Sequence, residues 1–180
     1  MLRIKIPAAE LWDEKTGTFI HTKEQTLQLE HSLVSISKWE SRWNKEFLSK
    51  KEKSMVETID YIKCMTLAQN VDPTIYDYLT VANLDEIDRY IEAPMTASSV
   101  PDDNTSPSSR ERVTSELIYY WMIALNIPFE CQKWHLNRLL MLIRICNFKN
   151  QKPKKMSKRE LYGRHAAINA ANRKRFHSKG

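Results

Sequence analysis

Residues 113–146 read VTSELIYYWMIALNIPFECQKWHLNRLLMLIRIC, and this stretch decides the fold class. Leu117, Ile118, Trp121, Ala124 and Leu125 recur at helical three-and-four spacing. Trp134, Leu136, Leu139, Leu140, Leu142, Ile143 and Ile145 form a second run, too apolar for one narrow stripe, so its helix is expected to be largely buried. Pro128 has no amide hydrogen and biases Ile127 away from helical angles, which separates two helices at Ile127-Pro128-Phe129. The expected core is a helical hairpin led by Trp121, Leu125, Trp134, Leu139 and Ile143.

Outward from that hairpin, toward the N-terminus, the pattern stays helical. Leu33, Ile36, Trp39, Glu40 and Trp43 mark one face of a helix over about residues 33–44, with Ser32 placed to cap it. A second helix is expected near residues 51–67, with Ser49 or Ser54 as cap, Glu52 or Glu57 three residues later, and Met55, Ile59, Ile62 and Met65 inward. Asp72-Pro73 starts a short helix through Leu79, and Asn83 with Glu86 repeats the capping pattern for another through Ile91. Before these, Arg3–Ile6 alternates, and residues 10–13 and 18–21 flank Glu14-Lys15-Thr16-Gly17, whose glycine can take a positive φ and turn the chain. A small hairpin follows from this. Residues 26–30 suit either a strand or a helix beginning at Thr22.

Pro94, Pro101 and Pro107 interrupt a Ser/Thr/Asp-rich segment, which predicts a mobile loop over 94–109. A second break surrounds Pro153. Ser157 and Glu160 then have capping-box spacing, and Leu161, Ile168 and Phe176 stand among alanines in a basic helix with a thin apolar stripe. The predicted architecture is mainly α: a helical domain over 1–148 with a small N-terminal β-hairpin element, and a basic C-terminal helical extension over 149–180.

At 180 residues and 42% apolar content, one sizeable core is expected. No apolar run is long enough to span a bilayer, so no membrane role is expected. Met1-Leu2-Arg3-Ile4-Lys5 is charged and lacks a following apolar region with a cleavage site, which predicts a cytoplasmic location. Cys64, Cys131 and Cys146 form an odd set without close pairing and are read as free thiols. The net charge of +6 is uneven: from Lys149 onward eleven Lys or Arg face the single acid Glu160, giving +10 and leaving −4 for the rest. A terminal basic segment of this kind is suited to nucleic acid or any acidic surface.

Candidate chemistry is sparse. Cys131 and His135, four apart, could share a helix face as two metal ligands, but no second Cys/His pair completes a set, and a packed cysteine beside a hydrogen-bonded histidine is the simpler reading. Glu30-His31-Ser32 holds the residue types of a catalytic triad, yet adjacent residues do not face one another; Glu30 and His31 are expected to position the helix that follows. With three glycines and neither a phosphate loop nor a nucleophile elbow, no enzyme activity and no cofactor are expected. Trp12, Trp39, Trp43, Trp121 and Trp134 are read mostly as core, with Trp39 and Trp43 as an alternative aromatic contact surface. Between Asp72 and Asp103 eight acids accompany one base, Arg89, which is either a solvated face or a dock for the basic tail. The candidate partner-binding residues are Leu161, Arg164, Ile168, Arg173, Lys174, Arg175 and Phe176, for a helix-in-groove contact or for phosphates.

Three stretches carry a family resemblance: Leu29-Glu30-His31-Ser32-Leu33 leading to Lys38-Trp39-Glu40; Asp60-Tyr61-Ile62-Lys63-Cys64-Met65-Thr66; and residues 124–138, ALNIPFECQKWHLNR. They resemble small proteins encoded in the tail-assembly region of long-tailed bacteriophages and prophages. The resemblance implies a tail assembly chaperone acting in the host cytoplasm, with the tape-measure and tail-tube proteins as partners. A nucleic-acid-binding phage protein and a minor structural tail component are the alternatives.

Overall fold

Alternating residues near the N-terminus pair as two nested antiparallel ladders. In the computed structural model, which describes residues 1–13, 17–49, 52–68, 71–100, 112–150 and 158–177, β1 (Leu2–Ile6) pairs with β4 (Gln25–Leu29) in the register Leu2↔Leu29, Ile4↔Leu27 and Ile6↔Gln25. β2 (Ala9–Asp13) pairs with β3 (Thr18–Thr22), and Gly17 has φ +64° beside the turn. Residues 26–29 are thus strand. Ile4, Ile6, Leu27 and Leu29 are buried while their neighbours face outward, the period-two pattern of a half-covered sheet.

α1 (Leu33–Trp43) begins where β4 stops, because the Ser32 and Ser35 hydroxyls each accept the other's backbone N–H. It ends at Asn44, which takes the left-handed conformation at φ 51° and returns its N–H to the Glu40 carbonyl. Leu33, Ile36 and Trp39 bury its inner face, and Trp39 Nε1 donates to the Glu57 carbonyl at 2.9 Å. α2 (Met55–Met65) carries the Ser54/Glu57 capping box and packs on α1. Its end is tied to β4 by Glu30 N to Met65 O and Leu67 N to Gln28 O, both 2.9 Å. Asp72 caps a 3-10 helix over Pro73–Tyr78.

α3 (Val81–Glu92) is capped by Thr80, with Asn83 completing a reciprocal box. This corrects the expectation of Asn83 as cap: both side chains suit that role, and the earlier one holds it. α4 (Ser115–Ala124) packs on α1, a 3-10 helix spans Phe129–Lys133, and α5 (Leu136–Asn150) starts where Leu136 N donates to His31 O at 2.7 Å.

The expected helical hairpin is therefore corrected. The break at Pro128 is present, but α4 has α1 as its packing partner, and Trp134 precedes α5. Trp121, Leu125 and Trp134 are half-buried; only Leu139 and Ile143 of the five expected leaders are fully inside. On α5 the buried stripe is narrow, Leu136, Leu139 and Ile143, not the largely buried helix expected. Met55, expected inward, is 63% exposed. The centre is instead β1, β4, α1 and α2, where Trp39, Ile62 and Met65 lie wholly inside. The physical reason is that α1 already has α2, α4 and the 3-10 helix over Phe129–Lys133 around it, so the later apolar run covers one side only.

The chain divides into two compact units, Met1–Lys149 and Asn150–Gly180. In the second, α6 spans Lys158–Phe176. The break near Pro153, the Ser157 cap, residues 101–109 of the expected loop and the side chain of Trp12 lie outside the described residues. Cys64 and Cys131 are buried free thiols and Cys146 is a half-buried one. No helix among the described residues is long and apolar enough to cross a membrane.

Candidate functional site

Ala166, Ala167, Ala170 and Ala171 give α6 strong intrinsic helix propensity, and it stops where His177 turns left-handed at φ 49°. Arg173, Lys174 and Arg175 fill its last turn, where positive charge complements the helix dipole. Every described side chain on it is exposed, including Leu161, Ile168 and Phe176. Leu161 and Ile168 are seven residues apart and so lie almost in line. Arg164 and His165 flank that line between them, and Phe176 falls roughly 80° round from Ile168. The expected apolar stripe is thus a two-residue row. The Arg175 guanidinium sits 5.6 Å from the Phe176 ring centre, giving the helix end a combined cationic and aromatic tip.

A second cluster joins the elements of the first unit. His31, at the β4–α1 junction, is buried with its Nδ1 2.5 Å from the Tyr61 hydroxyl of α2, which is also 3.3 Å from Ser35 Oγ. Burial, reinforced by the neighbouring His135, lowers the His31 pKa to about 3. The ring is therefore neutral, and its tautomer decides whether Nδ1–H donates to the Tyr61 hydroxyl or Nδ1 accepts from it. Burial raises the Tyr61 pKa and keeps its hydroxyl protonated. His135 Nε2 donates to the Tyr90 carbonyl at 2.9 Å and its Nδ1 accepts from Asn137 N, so its tautomer is set by its partners. Burial lowers its pKa as well.

Glu30 accepts from the Tyr90 hydroxyl at 2.6 Å and pairs with the Met1 amino group at 2.8 Å. Glu30, His31 and Ser32 thus point to three different partners, and no triad forms among them. Their bonds position α1, α3 and the start of α5. Tyr61 and Tyr90 gave no local signal of this role, because the histidines they meet stand 30 and 45 residues away.

Cys131 and His135 are both buried, and among the described residues no group of three or more His, Cys, Asp or Glu converges as a metal site. A cleft of about 490 Å³ is lined by Trp39, Lys45, Lys53, Glu57 and Arg112, among others. Its charges are largely paired: Lys45 bonds to Glu57, and Arg112 to Glu46 at 3.1 Å. The hydrogen bond from Lys45, then that from the Ser54 amide, lowers the Glu57 pKa to about 2. On α3, Asp85, Glu86 and Asp88 are exposed; burial first, then Glu92 and Asp85, raises the Asp88 pKa. Asp102 and Asp103 lie outside the described residues.

No protein-family model, no curated protein and no solved structure matches this chain.

Proposed function

We propose that this chain is a non-enzymatic tail assembly chaperone of a long-tailed bacteriophage, acting in the host cytoplasm by holding the tape-measure or tail-tube protein through α6. The family resemblance of residues 29–33 with 38–40, 60–66 and 124–138 supplies the role. The observation that carries it to a site is α6 itself: an exposed helix in a compact unit of its own, with Leu161 and Ile168 in one row. A lone helix of this length is marginal in water and gains order by docking.

Co-expression with the tape-measure protein of the same gene cluster tests the reading. The two should co-purify, and Leu161→Asp with Ile168→Asp, which lower the net charge of +6 by two, should abolish the complex while the chain stays soluble and folded. Failure of the wild-type chain to retain either the tape-measure or the tail-tube protein would sink it. Presence in purified virions would favour a structural tail component instead.

A nucleic-acid-binding reading has its own support. Lys158, Arg159, Arg164, Arg173, Lys174 and Arg175 go round the helix on several sides, and the apolar row is short. Binding of duplex or single-stranded DNA that weakens steeply with added salt would favour it.

A further inference from the structure

We propose that the chain self-associates, the outer face of α4 on one copy docking against the outer face of α5 on a second copy. α4, SELIYYWMIA, is apolar on nearly all sides, yet only Ser115, Ile118 and Met122 are buried. Its outer face leaves Tyr120 63% and Ile123 61% exposed. Phe129, 52% exposed, extends this face, with its ring 6.4 Å from that of Tyr119. The charges beside these groups are mainly acidic: Glu116, one turn before Tyr120, and Glu130, next to Phe129, against the single exposed base Lys133 at the end of the same 3-10 helix. Contiguous exposed apolar surface of this kind marks an interaction site.

The outer face of α5 has the opposite sign. Met141, Ile145 and Phe148 recur at i, i+4 and i+7; the first two are half-buried and Phe148 is exposed. Arg138 and Lys149 edge this row on one side and Arg144 on the other, all exposed. Arg138 lies over the Trp134 ring at 4.3 Å. Among the described residues no carboxylate stands within ion-pair distance of these three bases.

Charge selects the occupant. Either face laid against its own kind brings like charges together, whereas α4 against α5 of another copy sets Glu116 and Glu130 among Arg138, Arg144 and Lys149 and buries both apolar rows. A reciprocal contact closes a two-fold dimer, and a one-way contact builds a ring or chain.

Sedimentation velocity of the full chain, from micromolar to near-millimolar concentration, tests this. Concentration-dependent association is expected. Glu116→Lys with Glu130→Lys, and separately Arg138→Glu with Arg144→Glu, should each weaken it by about tenfold or more, and combining all four should restore most of it. Circular dichroism melting checks that these exposed substitutions leave the fold intact, and Ile123→Asp should dissociate the assembly without altering any rim charge. Neutralising Arg173, Lys174 and Arg175 to alanine should change nothing. A chain that stays monomeric throughout overturns the proposal. So does association that ignores the reversals, that their combination fails to rescue, or that depends on the α6 bases.

Discussion

The rings of His31 and His135 meet edge to face with centroids 5.1 Å apart, and both are buried. Two imidazoles this close, on segments 104 residues apart and bridged through Ser32 and His135, join the β4–α1 junction to the start of α5 only while they remain uncharged. In the unfolded chain each takes up a proton near pH 6.5, but folded His31 does so only near pH 3. The unfolded state therefore binds more protons between those values, and stability falls as pH drops through that window. From pH 7 to pH 5, above the range where carboxylates titrate, His31 alone should account for a loss of about 2 kcal/mol. Urea midpoints at the two pH values check this, and His31→Gln, which cannot charge, should shrink the difference.

Trp39 and Trp134 distinguish the observed core from a core built on the later apolar run. Trp39 is 1% exposed, stacks on Trp43 and donates to the Glu57 carbonyl, whereas Trp134 is half-buried beneath Arg138. Trp39→Ala should cost roughly 3–5 kcal/mol, the range for a fully buried aromatic. Trp134→Ala should cost clearly less. Equal shifts in chemical denaturation would place the centre of the core wrongly.

Glu40 gives a third test. Its buried carboxylate accepts from Phe47 N through Oε1 and from Ser115 N through Oε2, each at 2.8 Å, joining the loop after α1 to the first turn of α4. Glu40→Ala leaves two buried amides without their acceptor, and each costs about 1–3 kcal/mol. Glu40→Gln keeps one acceptor oxygen and should lose roughly half as much. Hydrogen exchange at Ser115 should quicken in the alanine variant before it quickens in α2.

Local features of this fold were legible in the sequence because their causes are local. Ser32 and Asp72 cap the elements they were expected to cap, Ser54 holds the cap for which Ser49 was the alternative, and Gly17 has the positive φ that a turn favours. Burial depth was not legible. The run from Leu117 to Leu125 reads as deep core, yet what covers an apolar helix is decided by distant elements, and here α2 and the 3-10 helix over Phe129–Lys133 already flank α1. The histidine cluster was hidden for the same reason, since Tyr61 and Tyr90 meet His31 and His135 only through tertiary packing. On α6 the alanines and the basic cluster announced an exposed helix, but counting apolar residues overstated the stripe that Arg164 and His165 interrupt.

The two-unit division makes a last prediction about α6. Residues 1–149 form one compact unit with Leu139 and Ile143 already buried on α5, so removing 150–180 should leave the melting of the remainder nearly unchanged. The same reasoning makes Gly163 informative. It lies inside α6 with open space where a Cβ would go, and an interior glycine weakens a helix by roughly 0.5–1 kcal/mol relative to alanine. Gly163→Ala should therefore raise the helical circular dichroism of the full chain without moving the melting of the first unit. If α6 binds its partner as a helix, the substitution should also tighten that complex by a few-fold, because less order remains to be gained on docking. A truncated chain that aggregates or melts early would show that α6 supports the first unit, and unchanged binding by Gly163→Ala despite higher helicity would show that the partner does not read the helix.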